Sequence, residues 1–319
     1  MLTNVHIVIP VYDDWGSVAP LLSRIGKTLA VPPAVLLVDD GSSAPVPADL
    51  GQGLRSLIRS VEVLHLRRNL GHQRAIAVGL MHLLLNARGD AVVVMDADGE
   101  DLPEHVAVLL DRLRQTGQPA VFAARSRRLE GAVFRLFYAL YLLAHRVLVG
   151  WNVRMGNFSA LRWDLLRTLG VTAELWNHYA AAVCRTRAQI GTIALPRGRR
   201  LLGSSRMSFA SLVAHGLSAI SVFGDIVAVR LLAGVTAVCV AGGAAAASIA
   251  ACVLTGALAP PAGAVLALTA LGLFVGHAAL VCFVLAFLLL NGRSQLTTVP
   301  ERDCPCFVDR VEELHLTDV

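Results

Sequence analysis

The chain has 319 residues, of which 55% are hydrophobic and 16% charged, with a mean hydropathy of +0.61 and a formal net charge of +5. That length holds one substantial catalytic domain plus further elements, and the hydropathy is too high for an ordinary soluble protein. The arginines cluster in "ARSRR", "LPRGRR" and around Arg206, which suits phosphate groups and anionic lipid heads. No aromatic-rich pattern accompanies them to favour nucleic acid.

The opening "MLTNVHIVIPVYDDWG" has no basic start, and its short apolar run ends in Asp13 and Asp14, so no cleavable signal is expected and attachment to a membrane falls to later segments. Five β-rich runs follow one another over the first 125 residues: "VHIVIPVY", "AVLLVDDGSS", "VEVLHL", "DAVVVMDAD" and "AVFAARS". Helical patterns at Gly16 to Ala30, Gly71 to Asn86 and Pro103 to Thr116 lie between them. This alternation predicts an α/β layer with a mainly parallel sheet, whose ligands gather at the carboxyl ends of the strands. Asp13, Asp14, Asp39, Asp40 and the acids around Asp96 all fall there. "VDDGSS" is not G-x-G-x-x-G and "NLGHQR" is no Walker loop, which argues against a dinucleotide oxidoreductase or an ATPase.

Asp39 and Asp40 precede Gly41 and Ser42 at a strand-to-turn junction. A carboxylate there can accept hydrogen bonds from a ribose or a base, and for Asp40 capping of the turn is an equal reading. In "RRNLGHQRAIAVGL" the helix start at Gly71 can face phosphates, whereas His72 and Arg74 read equally well as surface residues. "MDADGEDLPE" crowds Asp96, Asp98, Glu100 and Asp101 behind a buried run. Like charges repel, and burying them without a partner costs free energy, so a divalent cation is the natural partner. In an extended segment Asp96, Asp98 and Glu100 share a side, as ligands for Mg²⁺ or Mn²⁺ would; the spacing excludes an EF-hand.

Beyond Arg125, apolar and aromatic residues from Phe134 to His145 recur at helical spacing. They predict a helix over about 132–149 that lies on a membrane surface or, nearly as well, packs in a core. "GNFSALRWDLLRTL" reads as a turn or edge strand entering a helix and "AQIGTIALP" as a short strand. "RGRRLLGSSRMSFASLVAHGLSAI" reads as a basic loop able to close over anionic substrates, followed by an amphipathic helix.

Two stretches without charge, Leu231 to Ala259 and Ala262 to Asn291, flank Pro260 and Pro261. Each exceeds the roughly 20 residues that cross a hydrocarbon core, which predicts a two-helix membrane hairpin. Arg206, Arg230, Arg293 and Arg302 at its flanks favour the cytoplasm for both termini. Cys304 and Cys306 form a lone C-x-C pair, weak support for zinc. The tail from Thr297 can pack on the catalytic domain or on another copy in a homo-oligomer.

In their order these motifs resemble glycosyltransferase family 2, and within it the membrane-attached polyprenyl-phosphate glycosyltransferases, over roughly residues 5 to 230. The resemblance implies a GT-A type nucleotide-diphospho-sugar transferase fold over 1–225, with interfacial helices. Two transmembrane helices over 226–291 and a cytoplasmic tail over 292–319 would follow, in a multi-pass protein of the cell inner membrane. "IPVYDD" is similar to the family's P-x-Y-N-E opening, which places Pro10, Tyr12 and Asp14 at the nucleotide, with Asp13 where Asn is usual. "VDDGSS" implies nucleoside recognition by Asp39. "MDADGEDLPE" is similar to D-x-D-x-Q-D-x-P-E, making Asp96 and Asp98 the metal and diphosphate residues, with Glu100 in the place of Gln as a third metal ligand. "ARSRR" implies phosphate contacts from Arg125 and Arg128. "RRLLGSSRM" matches R-x-x-G-x-S-K through Arg200, Gly203, Ser205 and Arg206, with Arg for Lys. "GNFSALR" stands where the family has its acceptor-side motif, from which Asn157, Phe158 and Ser159 depart.

The function so implied is metal-dependent, inverting transfer of a sugar from a UDP- or GDP-sugar to a polyprenyl phosphate, with Asp96, Asp98, Arg125, Arg200 and Arg206 as the catalytic set. A glycolipid or polysaccharide acceptor is the alternative, and a non-catalytic membrane scaffold a lesser one.

Overall fold

The computed structural model describes residues 2–125, 142–143, 145–150, 155–202, 209–255, 262–293 and 298–318. The surface helix expected over about 132–149 therefore lies largely outside the described residues, as do Arg128, Ser205 and Arg206.

Strands β1 (Val5–Val11) and β2 (Ala34–Asp39) are buried at every position, the signature of parallel strands covered on both faces. β3 (Ser60–Leu66) and β4 (Ala91–Val94) extend the parallel set, with β1 pairing both β2 and β4 and β2 pairing β3. Helices α1 (Trp15–Thr28), α2 (His72–Asn86) and α3 (Glu104–Thr116) make the crossovers. Alternation along β1 feeds two cores. Val8 packs among the α2 residues Ile76, Leu80 and Met81, while Ile7 and Ile9 pack with Leu21, Leu22 and Leu109 of α1 and α3. Each such side chain contributes about 1.5–3 kcal/mol by its removal from water.

β5 (Ala120–Arg125), β6 (Met155–Arg162) and β7 (Ile190–Leu195) complete the far side, and with β8 (Val308–Glu313) from the tail the sheet order is β7-β5-β6-β4-β1-β2-β3-β8. "GNFSALR", expected as a turn or edge strand, is the internal strand β6, antiparallel to both β4 and β5. Its middle residues are buried because both of its faces are covered. The other edge is β8, which the tail lays antiparallel on β3. Of the two settings expected for the tail, packing on the sheet is the one found: Cys304 enters one core, and Leu314 and Leu316 pack against the other. α4 (Trp163–Gly170), α5 (Tyr179–Arg185) and α6 (Phe209–Ser221) belong to this same unit.

The second compact unit contains α7 (Gly224–Leu254) and α8 (Ala262–Arg293), packed together with the Cys282 thiol 4.0 Å from the carbonyl oxygen of Leu231. Here the expected membrane hairpin and multi-pass topology must be corrected. Among the described residues only α7 is long and apolar enough to cross a membrane, with a mean hydropathy of 2.2 over its best window. Within the second helix the apolar stretch found among the described residues is Thr269–Val284, about 24 Å of helix, against a core about 30 Å thick.

Candidate functional site

The expected ligand-binding end of the sheet is built from three turns. After β1 the chain turns at Asp13, whose φ of 49° is unusual for a residue with a side chain. The turn after β2 holds it there: Asp13 Oδ1 accepts from Ser43 N at 2.7 Å and Ser43 Oγ at 2.9 Å, and Asp13 N donates to Ser42 Oγ at 2.9 Å. Pro10 is buried inside β1 opposite Val38, so it shapes the strand. Tyr12, 48% exposed, presents an aromatic face at the strand end.

In the second turn Asp39 and Asp40 separate in role. Asp39 is buried and accepts from Ser42 N at 2.9 Å, with His65 Nδ1 at 2.9 Å from its other oxygen. Asp40 accepts from Leu70 N at 2.7 Å and Gly71 N at 2.9 Å, fastening the loop before α2, and burial pushes its carboxyl up. Asp40 thus engages the amides of Leu70 and Gly71 just ahead of α2, and Arg74 lies over the Trp176 ring at 5.2 Å.

The third turn departs from the extended chain expected for "DADGE". Gly99 has φ 77°, and a Cβ there would meet Leu201 Cγ at 2.4 Å, so the chain bends and Asp98 Oδ1 accepts from Glu100 N at 3.0 Å. Asp96, Asp98 and Glu100 therefore do not line one side. Asp101 turns back instead, and its Oδ2 accepts from Asp96 N at 3.0 Å. Burial, then the Asp96 charge, raises the Asp98 carboxyl above its ordinary range and pushes Asp101 up to about 8.

A basic strap leaving β7 lies on these acids. Gly198 N donates to Glu100 O at 2.8 Å and Leu201 N to Asp98 O at 2.9 Å. Arg197 pairs with Glu100, while Arg200 donates from Nη2 to Asp14 Oδ2 at 3.0 Å and places Nη1 3.7 Å from Asp98 Oδ2. The strap thereby links the turn after β1 to the turn after β4. Arg125 ends β5 opposite Leu195, the residue from which the strap departs.

On the α2 side, His72 Nε2 lies 3.1 Å from Asp96 Oδ1 and 2.8 Å from Asn157 Nδ2. Gln73 Nε2 donates to Asn157 Oδ1 at 3.1 Å, and Tyr179 N donates to Gln73 Oε1 at 2.7 Å. Desolvation opposes charge on His72, but Asp96 foremost and also Asp40 and Asp101 outweigh it and raise its pKa. The His72 side chain stays 42% exposed while facing Asp96.

Among the described residues no three His, Cys, Asp or Glu side chains are gathered into a metal-binding group, so the trio Asp96, Asp98 and Glu100 is not assembled. What is present is a pair of carboxylates on one turn, Asp96 and Asp98, the latter held high by burial and then by the charge of the former. Hard-oxygen donors of that number suit Mg²⁺ or Mn²⁺ shared with a substrate's phosphates, not an all-protein cage. Glu100 is engaged by Arg197.

Sequence reasoning named Asp14, Asp39, Asp96, Asp98 and Arg200, and these do converge. It missed the roles of His65 and Arg197: the cluster "LPRGRR" pointed to Arg197, whereas nothing local pointed to His65.

The chain is 27% identical over 220 residues to an undecaprenyl-phosphate 4-deoxy-4-formamido-L-arabinose transferase of Erwinia tasmaniensis, covering 66% of this chain and 65% of the relative. It is 32% identical over 135 residues to the protein of the same name from Klebsiella pneumoniae, covering 41% and 39%. The chain thus spans less than two thirds of the length of these curated relatives. Its fold is similar to that of glucosyl-3-phosphoglycerate synthase from Mycobacterium tuberculosis, crystallised with Mn²⁺, UDP-glucose and phosphoglyceric acid. The TM-score is 0.50 at 17% identity, over 70% of this chain and 80% of that one. A family model for glycosyl transferase family 2 matches residues 6–169, the stretch from β1 through α4 that carries all three acidic turns, and the chain belongs to that family.

Proposed function

We propose that this chain transfers a sugar from a nucleoside diphosphate sugar to a polyprenyl phosphate. The observation that carries the reading is the convergence of Asp14, Asp39, Asp96 and Asp98 at the ends of three neighbouring parallel strands, with Arg200 reaching two of them. Tyr12 and Asp39 would hold the nucleoside, Tyr12 by stacking and Asp39 by accepting hydrogen bonds from it. Asp96 and Asp98 would hold Mg²⁺ or Mn²⁺ together with the donor diphosphate; when bound, such a cation offsets the negative charge that grows on the departing nucleotide. Arg200, released from Asp14 and Asp98, would turn its planar fork to a phosphate. Arg125 and, from the motif match, Arg128, Ser205 and Arg206 belong to the same phosphate-binding group.

An acceptor phosphate oxygen would attack the anomeric carbon as the bond to the donor diphosphate breaks on the opposite face, so a single displacement inverts that carbon. A phosphate monoester is already anionic near neutral pH and needs no strong base. The polyprenyl phosphate class is supported by the names of the two relatives and by α7, which would keep the enzyme at the membrane where such a lipid resides.

The test is incubation of the detergent-solubilised full chain with labelled UDP- and GDP-sugars, polyprenyl phosphate and Mg²⁺ or Mn²⁺, followed by analysis of the lipid fraction. A phosphate-linked glycolipid is expected. Label in a glycan or glycolipid without a phosphate linkage would replace this acceptor by the alternative class, and no transfer from any donor would overturn the reading.

A further inference from the structure

β8 brings a carboxylate to the back of the donor site. His65 is buried in β3 with Nδ1 2.9 Å from Asp39 Oδ2 and Nε2 3.2 Å from Glu312 Oε2, a residue 247 positions further along the chain. The β3–β8 ladder shifts register between His65 and Leu66, and an irregularity of this kind re-aims a side chain next to a site. The tail is fixed in that register from both ends: Arg67 N donates to Phe307 O at 3.0 Å and Leu314 N to Val61 O at 2.9 Å.

The geometry points to Glu312 and His65 as positioning residues for nucleoside recognition, with the C-terminal strand as a working part of the donor site; this rests on the reading of Asp39 given above. With Asp39 at one ring nitrogen and Glu312 at the other, the imidazole is held between two carboxylates, and Glu312 fixes the ring orientation that meets Asp39. One Asp39 oxygen is held by His65 and the other by Ser42 N, and each keeps a lone pair for a nucleoside hydroxyl or N–H. Outer partners of this kind orient a binding group without touching the ligand.

The full chain in detergent with Mn²⁺ is titrated with UDP and, separately, with GDP, and donor KM and kcat are measured where turnover is found. Glu312 is 45% exposed, so Glu312→Ala is tolerated by the fold, which its melting temperature checks. The expected result is binding of the preferred nucleotide weakened roughly five- to tenfold, by loss of a charge-assisted hydrogen bond, and a matching rise in KM with kcat unchanged. Glu312→Gln, which can still accept from Nε2–H, recovers part of the affinity, and His65→Gln weakens binding without additivity to Glu312→Ala. Wild-type affinity in Glu312→Ala, or a fall in kcat and melting temperature together with unchanged KM, would overturn the positioning role. If the unaltered protein binds neither nucleotide, the donor reading itself fails and this inference with it.

Discussion

Arg200 sits where a cation is needed, bridging Asp14 and Asp98 across two turns of the site. Asp98 is held above its usual range by burial and by Asp96, so removing its carboxyl relieves repulsion. Asp98→Ala should abolish metal-dependent turnover of a nucleotide sugar while the melting temperature stays level or rises. Retained turnover would remove the metal role assigned to it. Arg200→Ala leaves Asp14 and Asp98 without their guanidinium, and should cost about 1–3 kcal/mol in urea unfolding as well as most of the activity. Arg200→Lys, which keeps charge but not the fork, should restore more stability than activity. At this scale the aspartates were legible because each motif places them at a strand end. For Glu100 the alternation of an extended chain does not carry over, because Gly99 at φ 77° bends the segment and Arg197 pairs with the Glu100 carboxylate.

Single elements were legible where the pattern is local, as in β1, β2 and α3, whose burial follows their own hydrophobic periodicity. β6 was harder, since its place between β4 and β5 depends on two partners distant in sequence, and β8 could not be found at all without the fold. The start of β4 shows how such distant pairs are stabilised. Asp90 Oδ2 accepts from Thr3 N at 2.7 Å and Asn4 N at 2.9 Å, and Asp90 N donates to Asn4 O at 2.8 Å, tying the chain before β1 to its neighbour. The backbone amides of Asn4 and Thr3 lower the Asp90 carboxyl below its ordinary 3.8. A depressed carboxyl stabilises the fold above its unfolded pKa, and that stability is lost as pH falls through the folded value. Asp90→Asn should therefore be about 1 kcal/mol less stable than the unaltered chain at pH 7, with the gap closing below about pH 3.8. Urea titrations at pH 7 and pH 3 would check this, and an equal gap at both would refute it.

For the whole molecule, absence of charge over two long stretches suggested two membrane spans, whereas among the described residues α7 alone meets the length and apolarity of a span. α7 has 31 residues, about 46 Å of helix, with side chains such as Val229, Val240 and Leu254 exposed on the protein alone. Water is a poor solvent for such a surface, and a hydrocarbon core a good one. The full chain should accordingly stay with the membrane fraction after alkaline carbonate extraction. A charged residue near the middle of a span costs about 2.5–3.5 kcal/mol on the insertion scale, so Val238→Asp together with Val240→Asp opposes insertion by about 5–7 kcal/mol if the two act independently. That double variant should move into the extracted fraction, while the sheet unit keeps its nucleotide affinity because Asp39, Asp96 and Asp98 lie in the other compact unit. Extraction of the unaltered chain would show that α7 does not anchor it, and loss of nucleotide affinity in a folded variant would show that the two units are coupled.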